Sequence, residues 1–174
     1  TSPAMARMPP YAYRECAHGL GHGLTEMHGH DALAAIPDCD TALPTELARR
    51  ECYDGVFMEN VSSATPESRD LSPTDYHYPC SKIDARYKGE CYAMQTSRMA
   101  EMGLTTEQIL KECDRASEFR IPCLLSAGRD LSNDVRFGDG RAAAQKCELV
   151  DGTGRAACMR GVVYALIDNT WDGR

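Results

Sequence analysis

The chain has 174 residues and a net charge of −7, with 26 acidic side chains against 19 Lys and Arg, which argues against a nucleic-acid surface, since that needs a basic face to replace phosphate counterions. The length suits one domain, 1–174, with a real core. The apolar runs fall far short of the roughly 18 residues that span a bilayer, and Thr1 to Pro10 lacks a signal-peptide core.

Taken in order, 1–10 reads as a flexible N-terminus. It leads into Cys16-Ala17-His18-Gly19-Leu20-Gly21-His22-Gly23. Four of the five histidines, His18, His22, His28 and His30, fall within thirteen residues here. Next comes a short helical segment from Ala32 to Cys39, then a longer one after Cys52 with apolar positions at Tyr53, Val56 and Phe57. Positions one, four and five after the cysteine make a helical stripe, not a strand alternation. Residues 62–79, with Pro66, Pro73 and Pro79, read as a polar loop insertion ending at Cys80. Met94, Met99 and Met102 read as helix packing. A second short segment runs from Glu107 to Cys113 behind a Thr105 or Thr106 N-cap, and a third from Ala142 to Cys147, started by Asp139. Ser132-Asn133-Asp134 and Asp168-Asn169 suit helix exits. Glu46, Glu51, Glu67 and Asp70 read as a solvated acidic surface.

Aligning the segments that begin at Cys16, Cys52, Cys91, Cys123 and Cys158 gives spacings of 36, 39, 32 and 35 residues. A period in the thirties is typical of stacked two-helix units that cannot bury their apolar faces alone. The expected fold is all-α, an αα-hairpin repeat solenoid of about 4.5 units. Each unit carries a cysteine pair closing 10 to 13 residues: Cys39 with Cys52, Cys80 with Cys91, Cys113 with Cys123, Cys147 with Cys158. Sequence alone leaves connectivity open, but one short loop repeated four times favours this pairing. The ninth cysteine, Cys16, has no cysteine ten to thirteen residues before it: either its partner stood upstream and has been cut away, or Cys16 is a free or intermolecular thiol. Nine cysteines point to an oxidising compartment, extracellular or periplasmic.

The stapled units resemble, in architecture, the αα-hairpins of secreted, cysteine-rich tetratricopeptide-type repeat proteins over roughly residues 11 to 170. The usual Trp, Leu-Gly and Ala-Phe signature of that family is absent, and the Cys-x-His-Gly-x-Gly-His-Gly element is foreign to it. The resemblance implies a concave face that binds a protein or peptide.

His18 and His22 stand four apart, so on a helix two imidazoles can reach one ion. Stacking of adjacent units would bring Asp54 and Met58 beside them, with His28 and His30 near the helix exit. Imidazole with thioether suits copper, and imidazole with carboxylate suits zinc, iron or nickel; copper is the favoured cofactor. The expected metal ligands are His18, His22, Asp54, Met58, His28 and His30. Gly19 and Gly55, aligned with Gly161, read as packing positions, whereas Gly21 and Gly23 have no such explanation. Familiar hydrolase, phosphate-loop, zincin and haem-attachment motifs are missing. The leading expectation is a transition-metal-binding domain. The rivals are a metal-free peptide-binding scaffold and a metalloenzyme using Glu26, Asp54 or Glu59 as proton acceptor.

Overall fold

The computed structural model describes residues 9–63, 69–131 and 140–170, with the backbone alone at 10 and 168–170. Among these residues the regular elements are all helical. Backbone contacts divide the chain into two units, 1–91 and 92–174.

The first unit contains α1 (Pro10–Met27), α2 (Ala32–Ala42), α3 (Glu46–Ser62) and most of α4 (Ala85–Tyr92). Pro10 opens α1 at a position where its fixed φ fits and its missing N–H is not needed. The helix closes on a left-handed pair, Gly29 at φ 65° and His30 at φ 68°. The Gly29 N–H donates to Glu26 O and the His30 N–H to Thr25 O at 2.8 Å, the two reversed bonds that satisfy carbonyls at a helix end. Asp31 then caps α2 by accepting from the Ala34 N–H at 2.8 Å, and Thr45 caps α3 by accepting from Ala48. Short connections at 28–31 and 43–45 thus join the three helices.

The second unit contains α5 (Thr96–Glu101), α6 (Thr106–Asp114), a 3-10 turn (Ser117–Phe119), α7 (Arg120–Asp130), α8 (Gly140–Cys147) and α9 (Gly152–Thr170). Thr105 and Gln108 form a reciprocal capping box at the start of α6, as the Thr105 reading anticipated.

All four cysteine pairs form as expected: Cys39–Cys52, Cys80–Cys91, Cys113–Cys123 and Cys147–Cys158. Every bridged cysteine is buried. Loops this short restrict the unfolded chain by about 3 kcal/mol each. Cys16 is free and exposed.

Where the main helices cross, glycine sets the approach. A Cβ on Gly21 would run into the Cys52 carbonyl, and one on Gly55 into the His18 carbonyl, so α1 and α3 meet backbone to backbone. The second unit repeats the device between α7 and α9: Gly128 lies against the Cys158 carbonyl and Gly161 against that of Leu125. Gly21 and Gly128 both stand five residues after a cysteine, and Gly55 and Gly161 both stand three after. This corrects the glycine reading. Gly21 is a packing residue, while Gly19, expected to pack, is exposed with nothing near its missing Cβ.

Other expectations are also revised. The segment around Cys91 does not make one long helix: α4 ends at Tyr92, a turn intervenes, and α5 begins at Thr96. Its cysteine partner, Cys80, lies in a run of turns instead of a helix, so the regular hairpin pattern lapses in the middle of the chain. The backbone of α9 continues to Thr170, past the expected exit at Asp168-Asn169. Asp70 is half-buried and accepts from the Leu33 N–H at 3.1 Å, so it is a structural acceptor and not part of a solvated surface. Met94 and Met99 are buried, as packing requires. The expectations for the N-terminus up to residue 8, Glu67, Ser132-Asn133-Asp134 and Asp139 fall outside the described residues.

Two polar clusters tie the units internally. In the first, Asp40 of α2 accepts from the hydroxyls of Tyr53 and Tyr87, the latter at 2.7 Å, and pairs with Arg86 at 3.1 Å. Burial opposes the Asp40 charge, but these donors outweigh it and hold the carboxyl below its usual range. Burial first, and the Asp40 charge with it, push Tyr53 upward and Tyr87 up to about 12. In the second unit Thr96 of α5 bonds Ser126 at 2.6 Å and Asp130 at 2.7 Å, both on α7. Arg129 adds bonds to Ser97 at 2.7 Å and to the Ala93 carbonyl at 3.0 Å.

Candidate functional site

The α1–α3 crossing places the histidine face of α1 along an acidic edge of α3. Gly21 and Gly55 bring the backbones together, and His18 and His22, one turn apart, occupy the seam half-buried, with side chains 23% and 30% exposed. Their Nε2 atoms face one another at 3.1 Å, with the rings edge to face and centroids 5.0 Å apart. The outer nitrogens face carboxylates: His22 Nδ1 lies 2.8 Å from Glu59 Oε2, and His18 Nδ1 lies 3.5 Å from Asp54 Oδ2.

Glu59 has a second neighbour. Its other oxygen lies 3.6 Å from His30 Nδ1, and that nitrogen also meets the Ser63 hydroxyl at 3.3 Å. The left-handed His30 backbone that ends α1 is therefore what turns its ring back toward α3. Asp54, His18, His22, Glu59 and His30 form one continuous chain of titratable groups.

Chemically, this chain leaves a question in its middle. A neutral imidazole that gives its Nδ1 proton to a carboxylate presents a lone pair at Nε2. If one ring carries its proton on Nε2, the contact is an N–H···N hydrogen bond. If both carry it on Nδ1, two lone pairs meet at 3.1 Å, which is repulsive unless something positive lies between them. A shared proton or a metal ion can do so. Burial first, and the facing His22 second, lower His18 below the usual 6.5, which favours the neutral, ligand-competent ring over the protonated one.

The expected site residues thus separate. His18, His22, His30 and Asp54 are brought together. His28 turns elsewhere, its Nε2 2.9 Å from Asp38 of α2. Met58 lies on α3, half-buried, and the residue that meets His22 is its neighbour Glu59. Glu59 was legible only as a nearby proton acceptor, because the like-for-like alignment that sets His18 beside Asp54 also sets His22 beside Met58, one residue short of the carboxylate it meets. Among the described residues, no group of three or more His, Cys, Asp or Glu side chains is arranged to hold a metal ion, and no helix is long and apolar enough to cross a membrane.

Comparisons with known proteins add no family assignment: no protein-family model matches the chain, and no curated protein and no solved structure matches it.

Proposed function

We propose that the protein is an exported, disulfide-stapled helical domain that binds a divalent transition-metal ion through the Nε2 atoms of His18 and His22. The observation that carries this reading is the facing pair of Nε2 atoms, each with a carboxylate behind its ring. Histidine ligands commonly give their other ring N–H to a carboxylate, which fixes the tautomer and strengthens the donor. The separation of 3.1 Å also fits: nitrogens at 2.0–2.1 Å from one ion stand about 2.9 Å apart at neighbouring corners of a square and about 3.3 Å apart on a tetrahedron. Asp54 and Glu59 act in this reading as orienting groups, not ligands. With imidazoles as donors, Cu(II), Zn(II) and Ni(II) are the natural occupants, and Met58 would extend the choice to Cu(I) only if its thioether swung into the seam. Four disulfides suit an oxidising compartment.

The test is calorimetric titration of tag-free protein with copper, zinc and nickel salts. Wild type should bind with measurable heat, and His18→Ala or His22→Ala should weaken binding by at least tenfold while helical circular dichroism stays unchanged. Wild-type affinity in the double variant, or no binding of any of the three ions by the wild type, overturns the reading.

A further inference from the structure

Glu59 backs His22, and the group on the far side of Glu59 is His30. The Glu59 side chain has several rotatable bonds, and its contact with His22 uses one oxygen, Oε2, at 2.8 Å from Nδ1. A carboxylate held at one oxygen can still turn about that contact. Its other oxygen, Oε1, faces His30 Nδ1 at 3.6 Å. An ionised carboxylate only accepts hydrogen bonds, so it selects the His30 tautomer with the proton on Nδ1. The Ser63 hydroxyl, 3.3 Å from the same nitrogen, caps the end of α3 one turn beyond Glu59 and keeps the ring against that helix.

The backbone at this position does not ask for a histidine. Its φ of 68° is a left-handed conformation that glycine adopts freely and other residues less readily. The turn uses the His30 N–H, which donates to Thr25 O at 2.8 Å, and a glycine would supply the same bond, as Gly29 does beside it at φ 65° with its own N–H on Glu26 O. The side chain is thus not what makes the turn; the turn is what aims the side chain. His28, two residues earlier, meets Asp38 and takes no part.

Resting on the metal reading above, we propose that His30 is a positioning residue of the metal centre: its Nδ1–H holds Oε1 of Glu59, so that Oε2 stays behind His22 and fixes the His22 tautomer whose Nε2 lone pair binds the ion. His30 touches neither the ion nor its ligands and acts through Glu59 alone.

The experiment measures zinc, copper and nickel affinity by titration, and metal-free stability by denaturant unfolding, in variants of the whole chain. His30→Gly removes the ring and suits the left-handed backbone, so stability should hold or rise while affinity falls about 3- to 10-fold, less than the 10- to 100-fold typical of a group that touches a ligand directly. His30→Asn is the rescue: asparagine also tolerates the left-handed region, and its amide nitrogen stands where Nδ1 stood, so affinity should stay within about twofold of wild type. In a Glu59→Ala background His30→Gly should cost nothing further, the non-additivity expected of two groups acting in series. Wild-type affinity in His30→Gly overturns the positioning role and leaves the metal reading standing. So does a loss in His30→Asn as large as in His30→Gly, or a full additional loss on top of Glu59→Ala. A His30→Gly variant that loses affinity only in step with stability assigns the residue to the fold and also overturns the role. No binding of any of the three ions by the wild type overturns both readings.

Discussion

The two glycine crossings make a controlled comparison inside one chain. The α1–α3 and α7–α9 pairs use glycines at the same offsets from a cysteine, lying against the same kind of carbonyl, yet the side chains around them differ. Where α1 has His18 and His22, α7 has Leu125 and Arg129; where α3 has Asp54 and Glu59, α9 has Arg160 and Ala165. Arg129 is occupied in holding α5 to α7. The crossing can therefore be built without imidazoles or carboxylates. Packing accounts for the glycines in both halves and leaves the histidine–carboxylate chain of the first half to be explained by chemistry.

The largest effect should come from breaking the part the halves share. Gly21→Val and Gly128→Val each force a side chain into a neighbouring carbonyl, and each should cost about 3 kcal/mol by denaturant unfolding. A cost near zero in either half would show that its crossing is not closed by glycine.

Next in size is the part the halves do not share. Glu59→Gln removes the charge behind His22, and metal affinity should fall roughly 10- to 100-fold with the melting temperature little changed. An unchanged affinity would demote Glu59 to a packing residue.

A smaller effect separates the two polar clusters by pH. A tyrosine whose ionisation is raised on folding holds its proton more tightly in the folded than in the unfolded state. Its contribution is therefore fully present below the ordinary value of 10 and is lost as pH climbs toward about 12, the Tyr87 value. The first unit should thus lose stability over that window. In the folded protein, absorbance at 295 nm should show Tyr87 ionising late, and Asp40→Asn should move it back toward 10. No change in that titration on Asp40→Asn would discount the carboxylate as a cause of the shift.

The smallest effect has the opposite sign. Gly19→Ala fills open space on a helix surface and should stabilise the metal-free protein by about 0.5–1 kcal/mol, whereas Gly21→Ala, two residues on, should destabilise it. Equal signs would mean that the inner and outer glycines of α1 have been confused.

Much of this architecture is local and was readable in the chain. Helical stripes, Thr105 as a cap and the four cysteine pairs all depend on residues within about a dozen positions of each other, so spacing alone carries them. Cys16 stood out as unpaired for the same reason. The site was legible by half: His18 and His22 share a face because they are four apart, a property of any helix. Three things were decided only in the folded chain, because they depend on how two helices meet. The offset between α1 and α3 brings Glu59 to His22. The left-handed turn at Gly29 and His30 sends His30 back toward Glu59 and leaves His28 with Asp38. Which glycines lie inside the crossing depends on the direction from which the partner helix arrives, and no period along α1 encodes that direction.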